Sequence, residues 1–115
     1  MALGQEDQLQ IAVCEYAELR NLPFFHVANE RRCSMQYGRL LKRKGVKPGF
    51  SDCFMPRGNH TFKGLFIELK IKPNKPTPNQ LIFIENMISE GYAAHVCYSL
   101  VEAIIIIDTF YGFGV

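Results

Sequence analysis

Tryptophan is missing from this 115-residue chain, cysteine is scarce, and one long stretch has no acidic residue. The four cysteines, Cys14, Cys33, Cys53 and Cys97, are widely spaced. They form no C-x-x-C pair, and the histidines form no H-x-x-x-H pair, so a zinc site has little support. Reduced thiols, several of them buried, are the expectation for a cytosolic protein. No apolar run approaches the ~20 residues a membrane-spanning helix needs. The opening MALGQEDQLQ lacks a basic segment followed by an apolar one, so it does not read as a signal peptide. These absences lead us to expect a soluble, intracellular protein with no membrane partner. There are no internal repeats and no low-complexity tract.

Nine Phe and five Tyr supply the core bulk that tryptophan does not. The length suits one domain, taken here as 1–115, with no room for a second core. A core this small stabilises a monomer only modestly, so an oligomer is a natural expectation.

The acid-free stretch runs from Arg31 to Ser51 and carries Arg31, Arg32, Arg39, Lys42, Arg43, Lys44 and Lys47, although the formal net charge of the whole chain is only +2. Such a block suggests contact with a polyanion, nucleic acid first. A solvated loop and helix face is the alternative. No aromatic-rich RNA-binding strand and no recognition helix is visible, so binding through shape and backbone fits better than base readout.

Periodicity predicts a first helix over 5–20, with Leu9, Val13, Tyr16 and the Arg20 stem on one stripe. Asn21-Leu22-Pro23 ends it. PFFHVAN (23–29) is a short strand candidate, and SMQYGRLLKRK (34–44) could hold a short helix, which Gly38 weakens. DCFMP and TFKGLFIELKI read as two strands around the turn RGNH. Thr77, Pro78 and Gln80 form a capping box that starts a helix running to about Glu90, with Gly91 as the stop. YAAHVCYS (92–99) is a further strand. Ser99 and Glu102 suggest a second capping box and a helix over 100–111, although Ile104 to Ile107 suits a strand equally well. The expected order is α-β-β-β-α-β-α around a mixed sheet flanked by helices, an α/β fold.

In GLFIELKI (64–71), Leu65, Ile67, Leu69 and Ile71 alternate onto one face, which must be core. Phe66, Glu68 and Lys70 share the other. Burying an unpaired charge is costly, so Glu68 and Lys70 either point into water on an edge strand or serve chemistry where cover gives way to a cleft. Asp52 opens the preceding strand. A two-residue loop at Gly58-Asn59 would pair it with Leu65, on the wrong face. A three-residue loop over 58–60, or a bulge at Gly64, would pair it with Phe66 and leave it diagonal to Glu68, roughly 7–8 Å apart at the backbone. The odd loop or bulge is the expectation; a turn-capping Asp52 is the alternative. Glu6 borders the core-facing stripe of the first helix, where an acid also complements the helix dipole. Gln80 has its capping role or a place in a site. His26, His60 and His95 are available as bases or as structural histidines.

Taken together, PGFSD, LFIELK, PTPNQ and GYAAHVCYS, with EDQLQ in the first helix, HVAN before the basic segment and LLKRKGVKPGFSD leading to the acid, resemble the virus-type replication–repair nuclease (VRR-NUC) branch of the PD-(D/E)XK nuclease superfamily. The resemblance runs from about Glu6 to the last helix. Ser51 stands where that branch usually has proline. The resemblance implies a restriction-endonuclease-like core, Asp52 and Glu68 as metal ligands, and Lys70 as the catalytic lysine. It also implies that Glu6 is an outer acid acting directly or through water, and that Gln80 supports the site. Mg²⁺, with Mn²⁺ as substitute, is the implied cofactor, and the Leu69 carbonyl is close enough to help hold it. Stand-alone members are associated with homodimers that cut branched DNA such as Holliday junctions. A nuclease for flaps, nicks or single strands, or a DNA-binding protein without catalysis, stays open. The setting this implies is the cytoplasm of a bacterium or of a phage-infected host cell.

Overall fold

The structure, a computed structural model, describes residues 3–27, 35–45 and 49–114. Helix α1 covers Gln5–Leu19, strand β1 Phe25–His26, helix α2 Met35–Arg43, strands β2 Cys53–Met55 and β3 Leu65–Leu69, helix α3 Pro78–Ser89, strand β4 Ala93–Cys97 and helix α4 Leu100–Tyr111. The chain is α/β, as expected. The difference in order is α2, which forms between β1 and β2 despite Gly38. Arg31, Arg32, Cys33 and Lys47, and the last residues of the 23–29 strand candidate, lie outside the described residues.

The sheet is mixed, in the order β1-β2-β3-β4. β2 is antiparallel to β1 and β3, while β3 and β4 are parallel. The parallel pair needs a crossover, and α3 supplies it on one face. α1 and α4 cover the other. There Leu9, Val13 and Ala17 meet Cys53, Met55, Leu65, Ile67, Leu69, Ala93, Cys97, Ala103 and Ile107 in one buried cluster. Phe110, Tyr111 and Phe113 pack against it, so the apolar C-terminal segment finishes the chain's own core.

The α3 face is aromatic. Phe66 stacks on Phe54 at 4.4 Å between centroids and meets Phe83 edge-on at 5.2 Å and Tyr92 at 5.4 Å. β3 is therefore covered on both sides, which explains its nearly continuous apolar run.

The helix ends follow local chemistry. At α3, Thr77 accepts from the Gln80 N–H and the Gln80 side chain accepts from the Thr77 N–H, with Pro78 inside the first turn. Asn21, at φ 56°, carries the left-handed turn that ends α1. At α4 the expected box is only half formed. Ser99 accepts from the Glu102 N–H, but the Glu102 carboxylate reaches the Tyr98 N–H and the Ser99 hydroxyl instead of the Ser99 N–H. Ile104 to Ile107 are helical.

Register is the principal correction. Phe66 pairs with Phe54, not with Asp52, and Cys53 pairs with Ile67. One more step of that ladder sets Asp52 opposite Glu68. The connection over 56–64 is odd in length, which keeps Asp52 and Glu68 on one face, but it is far longer than a three-residue turn. Asn59 shapes it by accepting the N–H groups of Thr61 and Phe62.

Candidate active site

Asp52 stands at the head of β2, 7% exposed, and its Oδ2 accepts the backbone N–H of Leu69 at 2.8 Å. Its peptide oxygen faces the other way and accepts the Val27 N–H at 3.2 Å, with His26 Nδ1 at 2.8 Å. Asp52 is thus tied to the strand on each side of it.

Glu68 is 1% exposed and Lys70 8%, so the cover over this face extends further than strand alternation alone suggests. Two groups meet Glu68 Oε2. Gln80 Nε2 donates at 3.0 Å, and the Lys70 ammonium lies at 3.7 Å. Glu68 Oε1 is buried with no hydrogen-bond partner. A buried carboxylate oxygen without a donor is costly, and it marks a place for a positive charge or a proton.

The electrostatics agree. The Glu68 carboxyl is raised to about 8. Burial is the largest cause. The Asp52 carboxylate comes next, by its charge and by the hydrogen bond that a protonated Glu68 can give it. Lys70 opposes the shift and Glu6 adds to it. A divalent cation between Asp52 and Glu68 would answer the same need as the proton, and carboxylates with a carbonyl are the donors a hard ion takes. The Leu69 N–H points toward Asp52, and a strand residue's C=O points to the same edge as its N–H, so the Leu69 carbonyl faces that side too.

Glu6 feels this site through charge. Among the described residues no group of three or more His, Cys, Asp or Glu is gathered closely enough to hold a metal, so the structure does not bring Glu6 into a cluster with Asp52 and Glu68. Arg39, Lys42, Arg43 and Lys44 are exposed on and just after α2. At 100° per residue, Arg39, Lys42 and Arg43 fall on one side of that helix and Tyr37, Leu40 and Leu41 on the other. His60 lies in the 56–64 connection, beyond the opposite end of β3 from Lys70. Burial lowers the His95 pKa. Burial also pushes the Cys97 thiol up to about 12 and the Cys53 thiol higher still, which leaves both inert.

Gly49 is more than the punctuation its place beside Pro48 suggests. It has φ +88°, and a Cβ there would lie 2.5 Å from the Asn79 carbonyl oxygen and 2.9 Å from the Gln80 nitrogen. Only glycine lets the segment before Asp52 press against the first turn of α3. The signal available in the sequence is a glycine three residues before the acid.

Two acids and a lysine on neighbouring strands of a mixed sheet is the plan expected of a PD-(D/E)XK nuclease. Residues 3–100 match the profile of the VRR-NUC domain family. A solved structure of a VRR_NUC domain protein superposes with a TM-score of 0.80 at 25% identity, covering 99% of this chain and 93% of that one. A second, a VRR_NUC domain, gives a TM-score of 0.66 at 20% identity over 95% of this chain and 100% of that one, a likeness of fold. No curated protein gives a significant match. The chain belongs to the VRR-NUC domain family, a family of nucleases. Among the described residues no helix is long and apolar enough to cross a membrane.

Proposed function

We propose that this chain is a Mg²⁺-dependent endonuclease that hydrolyses phosphodiester bonds in branched DNA, four-way junctions foremost, and acts as a homodimer. The observation that carries the metal-dependent reading is the buried Glu68 Oε1, left without a donor while Lys70 and Gln80 both meet Oε2. The branched substrate and the homodimer rest on the family resemblance. We take residues 1–115 as one catalytic domain.

In this reading Asp52 and Glu68 hold the ion, with the Leu69 carbonyl as a further ligand and Mn²⁺ as a substitute. When bound, Mg²⁺ supplies Lewis acidity, relieving charge on the phosphate and lowering the pKa of an attacking water. The chain's own groups do the rest. Lys70 orients the water or neutralises charge developing on the phosphate. Gln80 fixes the direction in which Glu68 presents its free oxygen. Glu6 is the outer acid, acting directly or through water. Arg39, Lys42, Arg43 and Lys44, with Arg31, Arg32 and Lys47, bind phosphates beside the cut and position the duplex without reading bases.

The test is a panel of four-way, flap, nicked and single-stranded oligonucleotides, incubated with the protein plus Mg²⁺ or chelator, beside Asp52→Ala and Lys70→Ala. Cleavage of the four-way junction should require Mg²⁺ and fall at least ~100-fold in both variants. Preference for another arm of the panel would replace the substrate. Equal activity in wild type and both variants would remove these residues from the chemistry. Binding with no cleavage of any form would favour a non-catalytic DNA-binding protein.

A further inference from the structure

His26 pairs with Cys53 in the sheet and so stands one position from Asp52. It is an exposed residue, yet its Nδ1 lies 2.8 Å from the Asp52 peptide oxygen. A peptide oxygen carries no proton, so Nδ1 is the donor, which fixes the hydrogen on that nitrogen. The Val27 N–H donates to the same oxygen at the longer distance of 3.2 Å. β1 has only two residues, so its ladder gives this edge of the sheet little grip, and the imidazole supplies the shorter bond.

The opposite anchor is the Leu69 N–H on Asp52 Oδ2. Between the two anchors, the torsions of one residue decide where the Asp52 carboxylate points. Loosening the peptide oxygen frees the backbone to rotate and lets that aim drift.

We infer that His26 is a positioning residue for the metal site: by clamping the Asp52 carbonyl it sets the direction of the Asp52 carboxylate. This deepens the proposed function and rests on Asp52 being a metal ligand. Partners that orient a ligand residue without touching the metal typically change affinity by about 10–100-fold. His26 lies outside the buried core cluster, so its removal leaves the packing of the sheet in place.

The experiment measures Mn²⁺ affinity by electron paramagnetic resonance, with no DNA present, for wild type, Asp52→Asn, His26→Ala, His26→Gln and His26→Asn, each with its melting temperature. An Asn amide N–H falls near the place of Nδ1; a Gln amide reaches past it toward the place of Nε2. His26→Ala and His26→Gln should weaken Mn²⁺ binding about tenfold or more, and His26→Asn should restore most of it. If the Ala variant is destabilised, the comparison of Asn with Gln below both melting transitions decides. Wild-type affinity in His26→Ala, or an Asn variant as weak as the Gln variant, would overturn the inference. Equal Mn²⁺ affinity in wild type and Asp52→Asn is a different result: it removes Asp52 as a ligand, and the proposed function falls with the inference.

Discussion

The Leu69 N–H donates to Asp52 Oδ2 at 2.8 Å, so a carboxylate sits where the next rung of the ladder would place a backbone carbonyl. That substitution ends β2 and leaves the acid at the end of a central strand, between β1 and β3. With Cys53 opposite Ile67, it also sets Asp52 across from Glu68, at a Cβ separation of roughly 5 Å for an opposed pair. The chain thus holds two acids together and leaves Oε1 of Glu68 without a donor.

The Glu68 carboxyl, raised to about 8 in the folded chain from an ordinary value of 4.5, links stability to pH. An acid whose pKa is raised by folding stabilises the fold most below its unfolded value, and that contribution is lost as pH rises through the folded value. The metal-free protein should therefore lose on the order of a few kcal/mol of folding stability between about pH 5 and pH 8, and melt at progressively lower temperature across that range. Glu68→Gln should flatten the profile. Saturating Mg²⁺ should raise the melting temperature more at pH 8 than at pH 6, because the ion displaces the proton. Melting curves across pH, with and without Mg²⁺, check both.

Gln80 does two jobs with one amide: Oε1 accepts from the Thr77 N–H at 2.8 Å, and Nε2 donates to Glu68 Oε2 at 3.0 Å. Glutamate can do only the first. Gln80→Glu should keep the cap but place a third carboxylate against the pair, so its loss of stability should grow as pH rises from 5 to 8. Gln80→Leu should also lose the reciprocal half of the capping box, the bond from the Thr77 N–H, costing about 1 kcal/mol at every pH, while Thr77 still caps the N–H of residue 80. The two profiles, measured side by side, separate the capping role from the site role.

Gly49→Ala should destabilise the fold by at least ~1 kcal/mol from its positive φ alone, and by more because the new Cβ meets the Asn79 carbonyl at 2.5 Å. It should also weaken Mn²⁺ binding, since the segment leading to Asp52 must lift from α3. Chemical denaturation and metal titration of this variant measure the two effects separately.

Arg39, Lys42 and Arg43 lie on the basic side of α2. With each of them bound to a phosphate, replacing all three by Gln should weaken DNA binding across sequences. It should also reduce the slope of log affinity against log salt by about 0.9 for every phosphate no longer neutralised. An unchanged slope would remove α2 from the binding surface.

Much of this is legible in the chain because the determinants are local. Thr77, Pro78 and Gln80 define the start of α3 within four positions. Alternation along 65–71 alone puts Glu68 and Lys70 on the face of Phe66, away from Leu65, Ile67 and Leu69. Features controlled over distance along the chain are harder to read. The pairing of β2 with β3 is set by the long 56–64 connection, whose Asn59 turns do not announce the register, so a short-turn reading puts Asp52 opposite Phe66 instead of Glu68. Gly38 lowers the helix propensity of α2, which a basic, amphipathic segment overcomes. The hold on Asp52 by His26 and Leu69, the second use of the Gln80 amide and the contact of Gly49 with Asn79 exist only after the strands and α3 come together.

The central claim is that Asp52 and Glu68 together grip a divalent ion. Crystals soaked in Mn²⁺ and measured near the manganese absorption edge test it most directly. An anomalous peak within about 2.5 Å of oxygens from both carboxylates is the expected result. A map from fully soaked crystals with no peak reaching both side chains would contradict it.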